Sequence, residues 1–188
     1  MRFARRDRLR FLTALFATGA LLAAIAAAKS EIAFFGLTFP DRVADAQLES
    51  TTDFEMTKPG LGYGVRYRQP GWMIDIYIYD LGRSSIPDDV ESNVVQSQFQ
   101  QAERDVFNTY AKVELKRSYV IRDGSGRPRL QCADYAYVHE KTGPVDSVLC
   151  LTSRNRKFLK FRMTGERRAD SQAEAMLFLN AWTGILWP

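Results

Sequence analysis

The two cysteines, Cys132 and Cys150, are the residues whose spacing points most directly to a chemical role. If the chain reverses at Lys141, Cys132 lies nine positions before the turn and Cys150 nine positions after it, so the two face each other. Facing residues on antiparallel strands come close enough to form a disulfide. A redox-active pair more often has two residues between its cysteines. The spacing therefore predicts a structural disulfide rather than a redox site.

His139 is the only histidine, and this limits the catalysis that the chain can support. It lies beside Glu140 near a predicted turn, where a solvated side chain is the ordinary interpretation. A catalytic zinc site uses three protein ligands, usually with several histidines, and a nucleophilic serine needs a base held by a third group. The sequence also has no Gly-x-Ser-x-Gly motif. It therefore predicts no catalytic residue, no cofactor and no metal site.

Carboxylates could act without histidine, as two acids do in glycoside hydrolysis. Asp53 and Glu55 share one face of a predicted strand, and Asp75 and Asp80 are close together further along the chain. The same four residues also suit caps, turns and ion pairs. The sequence does not fix their distances across strands, so a hydrolase stays an alternative.

Six tyrosines occur as same-parity pairs on three predicted strands. Such rings could form the floor of a groove for a sugar or a peptide, because they stack on apolar rings and bond through their hydroxyls. They could equally pack between the sheet and a helix. The pairs are Tyr63 and Tyr67, Tyr77 and Tyr79, and Tyr135 and Tyr137.

Positive charge is concentrated in one part of the chain. Residues 112–168 hold 14 basic and 6 acidic side chains, whereas residues 29–111 hold 7 basic and 13 acidic ones. Lys160 and Arg162 alternate with apolar residues such as Phe161, so the strand pleat separates a cationic face from an apolar one. This pattern favours a surface for an anionic partner, or a solvated face that the acidic half of the chain neutralises. The predicted face consists of Lys116, Arg122, Lys160 and Arg162.

Alternation and helical periodicity predict one α+β domain over residues 31–188. Strands around residues 63–67 and 74–78 form an N-terminal hairpin, and a helix over residues 88–110 follows, with acidic residues in its first turn. Short connections then indicate a four-stranded antiparallel meander, which spans residues 112–122, 129–138, 146–151 and 156–163. A closing helix over residues 170–186 completes an antiparallel sheet with helices packed against it.

Two resemblances add to this prediction. A local pattern resembles one that recurs in small exported proteobacterial proteins of unknown function, and it implies no activity. The order of elements resembles that of the PsbP and Mog1 type of fold, whose members are mostly non-enzymatic accessory proteins. The local pattern consists of Asp53-Phe54-Glu55, Pro59-Gly60-Leu61-Gly62-Tyr63 and Tyr77-Ile78-Tyr79-Asp80-Leu81-Gly82.

Residues 1–30 predict a secretory signal peptide or a membrane anchor. Five arginines precede an uncharged stretch over residues 11–28 that ends in three alanines, a pattern that signal peptidase cleaves. The stretch is also about as long as the shortest membrane-spanning helices. From Lys29 onward the chain holds 21 basic and 21 acidic residues, so the pI of 9.1 does not indicate nucleic-acid binding.

Together these patterns predict an exported envelope protein. It would be periplasmic or secreted, or anchored in the inner membrane with its domain outside the cytoplasm. Without a catalytic signature, the main functional prediction is a non-enzymatic accessory or binding module. Its partner would be an envelope protein, a glycan or an anionic lipid, and not nucleic acid. A carboxylate-dependent hydrolase of envelope glycans and a structural or assembly subunit are the alternatives.

Overall fold

The structure is a computed structural model that describes residues 31–188, which form ten strands and two helices. The signal or anchor predicted for residues 1–30 lies outside the described residues. The strands are β1 (Glu31–Phe34), β2 (Leu37–Pro40), β3 (Arg42–Val43), β4 (Ala46–Asp53), β5 (Tyr63–Gln69), β6 (Trp72–Tyr79), β7 (Glu114–Arg122), β8 (Pro128–His139), β9 (Gly143–Arg154) and β10 (Lys157–Glu166). The helices are α1 (Asn93–Thr109) and α2 (Ser171–Leu186).

Eight of these strands form one antiparallel sheet in the order β3-β4-β5-β6-β10-β9-β8-β7. The predicted hairpin is β5 with β6, and the predicted meander is β7 to β10, so the antiparallel α+β architecture is confirmed. The two units become one sheet because β6 pairs with β10. β1 and β2 form a separate two-stranded antiparallel hairpin.

Successive side chains of each strand point to opposite faces of the sheet, and each face packs against one helix. On the side of α2, here called the α2 face, Ile76 and Phe161 belong to a buried cluster with Trp182. On the opposite side, the α1 face, Phe158 belongs to a second buried cluster with Val95 of α1. Because both faces are covered, five of the eight residues of β6 are buried and the other three are half-buried.

Helix α1 begins five residues later than the sequence pattern predicts. Its N-cap is Ser92, whose Oγ accepts a hydrogen bond from the Val95 backbone N–H at 3.4 Å. The acidic residues expected in the first helical turn lie before it, because Asp89 closes a preceding turn by accepting from the Glu91 backbone N–H. The first turn of α1 contains no acidic residue. A serine side chain caps the helix in their place.

The predicted disulfide between Cys132 and Cys150 is present. The two residues face each other across β8 and β9, with Cα atoms 4.1 Å apart. Both side chains are buried in the cluster on the α2 face. The bridge therefore ties the centre of the meander to the core.

Neither α1 nor α2, the helices of residues 31–188, has the length and hydropathy that crossing a bilayer requires.

Candidate functional site

The pairing register arranges side chains of the α1 face in three neighbouring rows across β5, β6 and β10. Because every second residue of a strand points to the same face, each row lies two residues along from the last. The first row is Arg68, Met73 and Thr164, the second is Arg66, Asp75 and Arg162, and the third is Gly64, Tyr77 and Lys160.

The first row forms the floor of an open groove with a volume of about 890 Å³. One wall comes from Leu48 and Glu49 of β4, and the turn between β5 and β6 closes one end. The opposite wall is the hairpin of β8 and β9, which contributes His139 and Val145. Three separate parts of the chain thus build a concave surface that mixes apolar and polar side chains, as ligand sites do.

The cations of β5 are held in ion pairs at this surface. Arg68 donates from Nε and Nη2 to the two carboxylate oxygens of Glu49, at 2.7 and 3.1 Å. This hydrogen bonding lowers the pKa of Glu49. Arg66 donates from Nε to Asp75 Oδ1 at 2.7 Å, and that bond raises the pKa of Arg66. The Arg68–Glu49 pair therefore gives the groove a charge-balanced rim on its β5 side.

A second, smaller cavity of about 270 Å³ lies at the second and third rows, where the C-terminal part of α1 meets the sheet. Tyr77 and Leu149 come from the sheet, and Asp105 and Tyr110 come from α1 and its end. Lys160 and Arg162, two residues of the predicted cationic face, complete its wall. We call it the cationic cavity. The complete lining consists of Tyr77, Ala102, Asp105, Val106, Thr109, Tyr110, Leu149, Lys160 and Arg162.

Lys160 is largely buried in the cationic cavity. Its Nζ lies 4.7 Å from the centre of the Tyr77 ring and 5.8 Å from that of Tyr79, within the range of cation–π attraction. Burial lowers the pKa of Lys160, and the nearby charge of Asp105 opposes that effect. Among the described residues, no carboxylate lies within 4 Å of its ammonium group.

Arg162 is held by a tyrosine and leaves one nitrogen without a hydrogen bond. Its Nη2 donates to Tyr137 Oη at 3.4 Å, and its guanidinium carbon lies 5.6 Å from the centre of the Tyr110 ring. The Nη1 atom is buried and has no hydrogen-bond partner within residues 31–188. Asp75 faces Arg162 in the register, but its carboxylate is paired with Arg66.

The four cations predicted to share one face do not come together. Lys160 and Arg162 lie side by side on β10, but Lys116 and Arg122 are on β7, three strands away across β9 and β8. Lys116 pairs with Glu114 and lines a cleft beside α2, and Arg122 bonds the Gly126 carbonyl at the end of the sheet. Parity within one strand does not fix the distance between strands, which is why the grouping was wrong.

The six tyrosines are divided between the two faces of the sheet. Tyr63 and Tyr67 lie on the α2 face, where the Tyr67 hydroxyl donates to the Pro40 carbonyl at 2.7 Å. Tyr79 and Tyr135 lie under α1, within hydrogen-bond distance of Gln98 and Glu103. Tyr77 alone lines the cationic cavity, and Tyr137 stacks on Tyr110 beside it. Most of the predicted stripe is therefore core packing.

The four candidate carboxylates have structural partners. Asp75 pairs with Arg66, and Asp53 accepts from the Met56 backbone N–H at 3.3 Å. Asp80 pairs with Lys157, which together with the Gly82 backbone N–H lowers its pKa against the effect of burial. No cluster of three potential metal ligands is found among residues 31–188.

Glu55 organises a turn instead of a catalytic site. Its Oε2 accepts from the Gly60 backbone N–H at 2.9 Å, and its Oε1 accepts from that of Gly62 at 3.0 Å. The Gly60 carbonyl in turn accepts from the backbone of Asp80 and Leu81. The three segments of the local sequence pattern thus meet in one backbone cluster, in which Glu55, Gly60 and Gly62 have structural roles.

Four residues of the surface were missed by the sequence analysis. Arg66 and Arg68 alternate along β5 as Lys160 and Arg162 do along β10, and that pattern was a usable signal. Asp105 and Tyr110 reach the cationic cavity only because α1 ends there, and no local pattern marks them.

The fold is similar to that of cyanobacterial PsbP from Synechocystis sp. PCC 6803, solved in solution. The TM-score is 0.51 at 13% identity, and the match covers 88% of this chain and 96% of that chain. Two further structures match with lower TM-scores. The first is PA94 from Pseudomonas aeruginosa, a protein of unknown function described as a putative regulator, with a TM-score of 0.39 at 14% identity over 83% of this chain and 92% of that chain. The second is the Saccharomyces cerevisiae Ran-binding protein Mog1p, with a TM-score of 0.37 at 11% identity over 85% of this chain and 90% of that chain.

No protein-family model and no curated protein matches the chain. The PsbP-like topology expected from the order of elements is thus confirmed by the solved structure. The link to a proteobacterial family stays a prediction. At this identity the likeness establishes the fold and carries no function.

Proposed function

We propose that the protein is an exported, non-enzymatic binding module whose partner occupies the groove on the α1 face. The observation that carries the proposal is the groove itself, about 890 Å³ in volume and formed by β4, the β5–β6 turn and the β8–β9 hairpin. Its floor of Met73 and Thr164 lies on a central part of the sheet, which holds the surface rigid. A rigid surface favours binding, because little conformational freedom is lost when the partner docks.

The lowered pKa of Glu49 favours binding over glycan hydrolysis. A glycosidase needs one acid whose pKa is raised, and Glu49 at the groove has a lowered pKa because Arg68 binds it. An assembly subunit would be expected to expose a large apolar patch. Among residues 31–188, Phe107 and Leu115 are neighbours through Tyr135, and the other exposed large apolar side chains come from different elements and loops, at Phe35, Met56, Leu81, Val138 and Leu177.

A ligand panel tests the groove. Amide chemical shifts of the full-length protein would be followed while peptidoglycan fragments, anionic vesicles and short peptides are added. We expect one class to shift Met73, Thr164 and His139, and Thr164→Trp to abolish that binding by filling the groove. Ser118→Trp, at an exposed position of the edge strand β7, is the matched control. Turnover of the glycan fragments would support the hydrolase instead.

Export is tested separately. The disulfide and the PsbP-like fold are compatible with an extracytoplasmic domain. We expect intact-mass analysis of cell fractions to find the protein outside the cytoplasm, either without its first 28 or so residues or tethered by them. A reduced cytoplasmic protein that retains Met1 would contradict the proposal.

A further inference from the structure

The cationic cavity contains two positive charges, and neither forms an ion pair within residues 31–188. Lys160 faces the rings of Tyr77 and Tyr79, and Asp105 acts on it only from beyond ion-pair distance. Arg162 makes one long hydrogen bond to Tyr137, and its buried Nη1 has no acceptor in the described part of the chain. A buried charge is costly unless it is paired, and a buried donor normally has an acceptor.

The surrounding sheet makes this pair of cations exceptional. Arg66, Arg68 and Lys157 on the same sheet each bind a carboxylate at short range. The acid next to Arg162 in the register, Asp75, is already engaged by Arg66 at 2.7 Å. Residues 31–188 thus supply a carboxylate for each of these neighbouring cations, and none within 4 Å of the two that share the cavity.

We propose that the cationic cavity binds a carboxylate group of the protein's ligand. The planar guanidinium of Arg162 suits bidentate bonding to a carboxylate, and Lys160 adds a second charge from the same strand. With Asp105 at the rim, the two cations leave one positive charge to be balanced, which a single carboxylate provides. The volume of about 270 Å³ admits that group together with a short substituent.

This inference deepens the proposed function. It rests on that proposal for the direction in which the ligand extends from the cationic cavity, which is toward the groove. Thr164 on the groove floor lies two residues from Arg162 on the same face of β10. A ligand in the groove could therefore place a terminal carboxylate in the cationic cavity. Tyr77 and Tyr110 would pack against the apolar part of the group that carries it.

Acetate tests the cavity alone, because it is too small to bridge to the groove. Acetate would be titrated into the full-length protein at constant ionic strength, with chloride as the reference anion and the backbone amide resonances of Tyr110 and Leu149, which line the cavity in every variant, as the readout. We expect saturable shifts with acetate, and an affinity about tenfold lower in Arg162→Gln and in Lys160→Gln. Arg122→Gln removes the same charge from a distant position and should leave the affinity unchanged.

Asp105→Asn keeps the inference testable even if the cation variants fold poorly. Asp105 is exposed, and asparagine can still accept the hydrogen bond that Gln101 donates to it. Removing the rim acid should raise the affinity for acetate about two- to fivefold, because it takes away a competing negative charge. An affinity that stays unchanged in Asp105→Asn and in both cation variants would overturn the proposal.

Further probes identify the ligand class. N-acetylalanine represents a peptide C-terminus and glucuronate represents a sugar acid, and tighter binding of either one than of acetate supports the proposal and names the source. Inorganic phosphate that binds more tightly than acetate through the same residues would overturn the assignment to a carboxylate. Acetate binding that survives in Thr164→Trp, while ligands of the panel no longer bind, would separate the cavity from the groove.

Discussion

At the scale of single residues, β10 shows what alternation determines and what it leaves open. The pattern around Phe161 predicts an apolar face and a cationic face, and the structure has both. Alternation does not reveal how deeply the cationic side is covered, because that depends on where α1 ends. Lys160 was expected to be a surface charge, but it is largely buried, with its ammonium over the Tyr77 ring.

Phe161 to alanine tests the apolar side of this strand. Phe161 is fully buried against Trp182 on the α2 face, so we expect Phe161→Ala to lower the free energy of unfolding by about 3–5 kcal/mol. Urea denaturation measures this change in the free energy of unfolding. Lys160→Met is the neighbouring control, and it should cost less than about 1 kcal/mol because no ion pair is lost and the stem is kept. The opposite ranking would mean that the strand is one residue out of register.

The tyrosines set a limit on residue-scale prediction. Same-parity pairs within a strand do share a face, as Tyr135 and Tyr137 show. Whether two strands present their tyrosines to the same side depends on the register between them, which for β5 and β6 is set by the two-residue turn that joins Gln69 to Trp72. Tyr67 and Tyr77 consequently face opposite helices although their strands are adjacent.

At the scale of elements, the turn after β4 is fixed by close backbone contacts. Gly62 has a φ of +69°, and a Cβ atom on it would lie 1.7 Å from the Ile78 carbonyl oxygen. Glu55 holds the same glycine through its backbone N–H. Glycine is therefore required here both for its conformation and for space.

A glycine-to-alanine pair of variants tests this turn. Gly62→Ala should lower the free energy of unfolding by about 2–4 kcal/mol, because the backbone must shift away from Ile78. Gly124→Ala is the matched control, since nothing lies within 4 Å of an added Cβ atom there. It should change stability by less than about 1 kcal/mol. Thermal and urea unfolding of both variants would decide, and equal effects would argue against the close packing of this turn.

The disulfide is the second element-scale prediction. It joins positions 18 residues apart on neighbouring strands. By chain entropy, a loop of this size stabilises the folded protein by about 3 kcal/mol, and Cys132→Ala with Cys150→Ala should lose about that amount. Counting thiols under denaturing, non-reducing conditions checks the bond itself. Two free thiols in the exported protein would contradict the assignment.

Local sequence patterns predicted the individual strands and helices better than they predicted the strand pairing that joins them into one sheet. The β5–β6 hairpin and the meander follow from alternation and short connections, but the pairing of β6 with β10 links residues 79 to 93 positions apart, from Phe158 with Tyr79 to Gly165 with Trp72. No local signal marks such a contact. The start of α1 was also misplaced, because Asp88 and Asp89 suit both a helix start and the turn that precedes Ser92.

At the scale of the whole molecule, one sheet separates two cores, and both contain tyrosine. Tyr67 lies in the core of the α2 face, whereas Tyr79 and Tyr135 lie under α1. Burial is the main cause that raises the pKa of each of these phenols. It also raises that of Tyr119 on the edge strand β7, where Asp134 adds to the effect. The folded state thus keeps protons that the unfolded chain releases.

This difference predicts loss of stability in alkali. In the unfolded chain tyrosine ionises near pH 10, so below that pH both states are protonated and the stability is fully present. Above it the unfolded state binds fewer protons than the folded state, and the free energy of unfolding falls with rising pH up to the raised pKa values. The lowered pKa of Lys160 acts in the opposite direction, but it is one group against several tyrosines.

An alkaline titration tests whether these tyrosine rings are buried or accessible to solvent in the folded protein. We expect the tyrosinate absorbance of the buried rings to rise in the same step in which near-UV circular dichroism is lost, because ionisation requires unfolding. Tyr135→Phe should make the fall of stability above pH 10 less steep, since one proton-releasing group is removed while the ring stays. Tyrosinate formation by all the rings with the circular dichroism intact would show instead that solvent reaches both cores. The two helices would then not seal the faces of the sheet as the packing of Phe99 and Phe178 indicates.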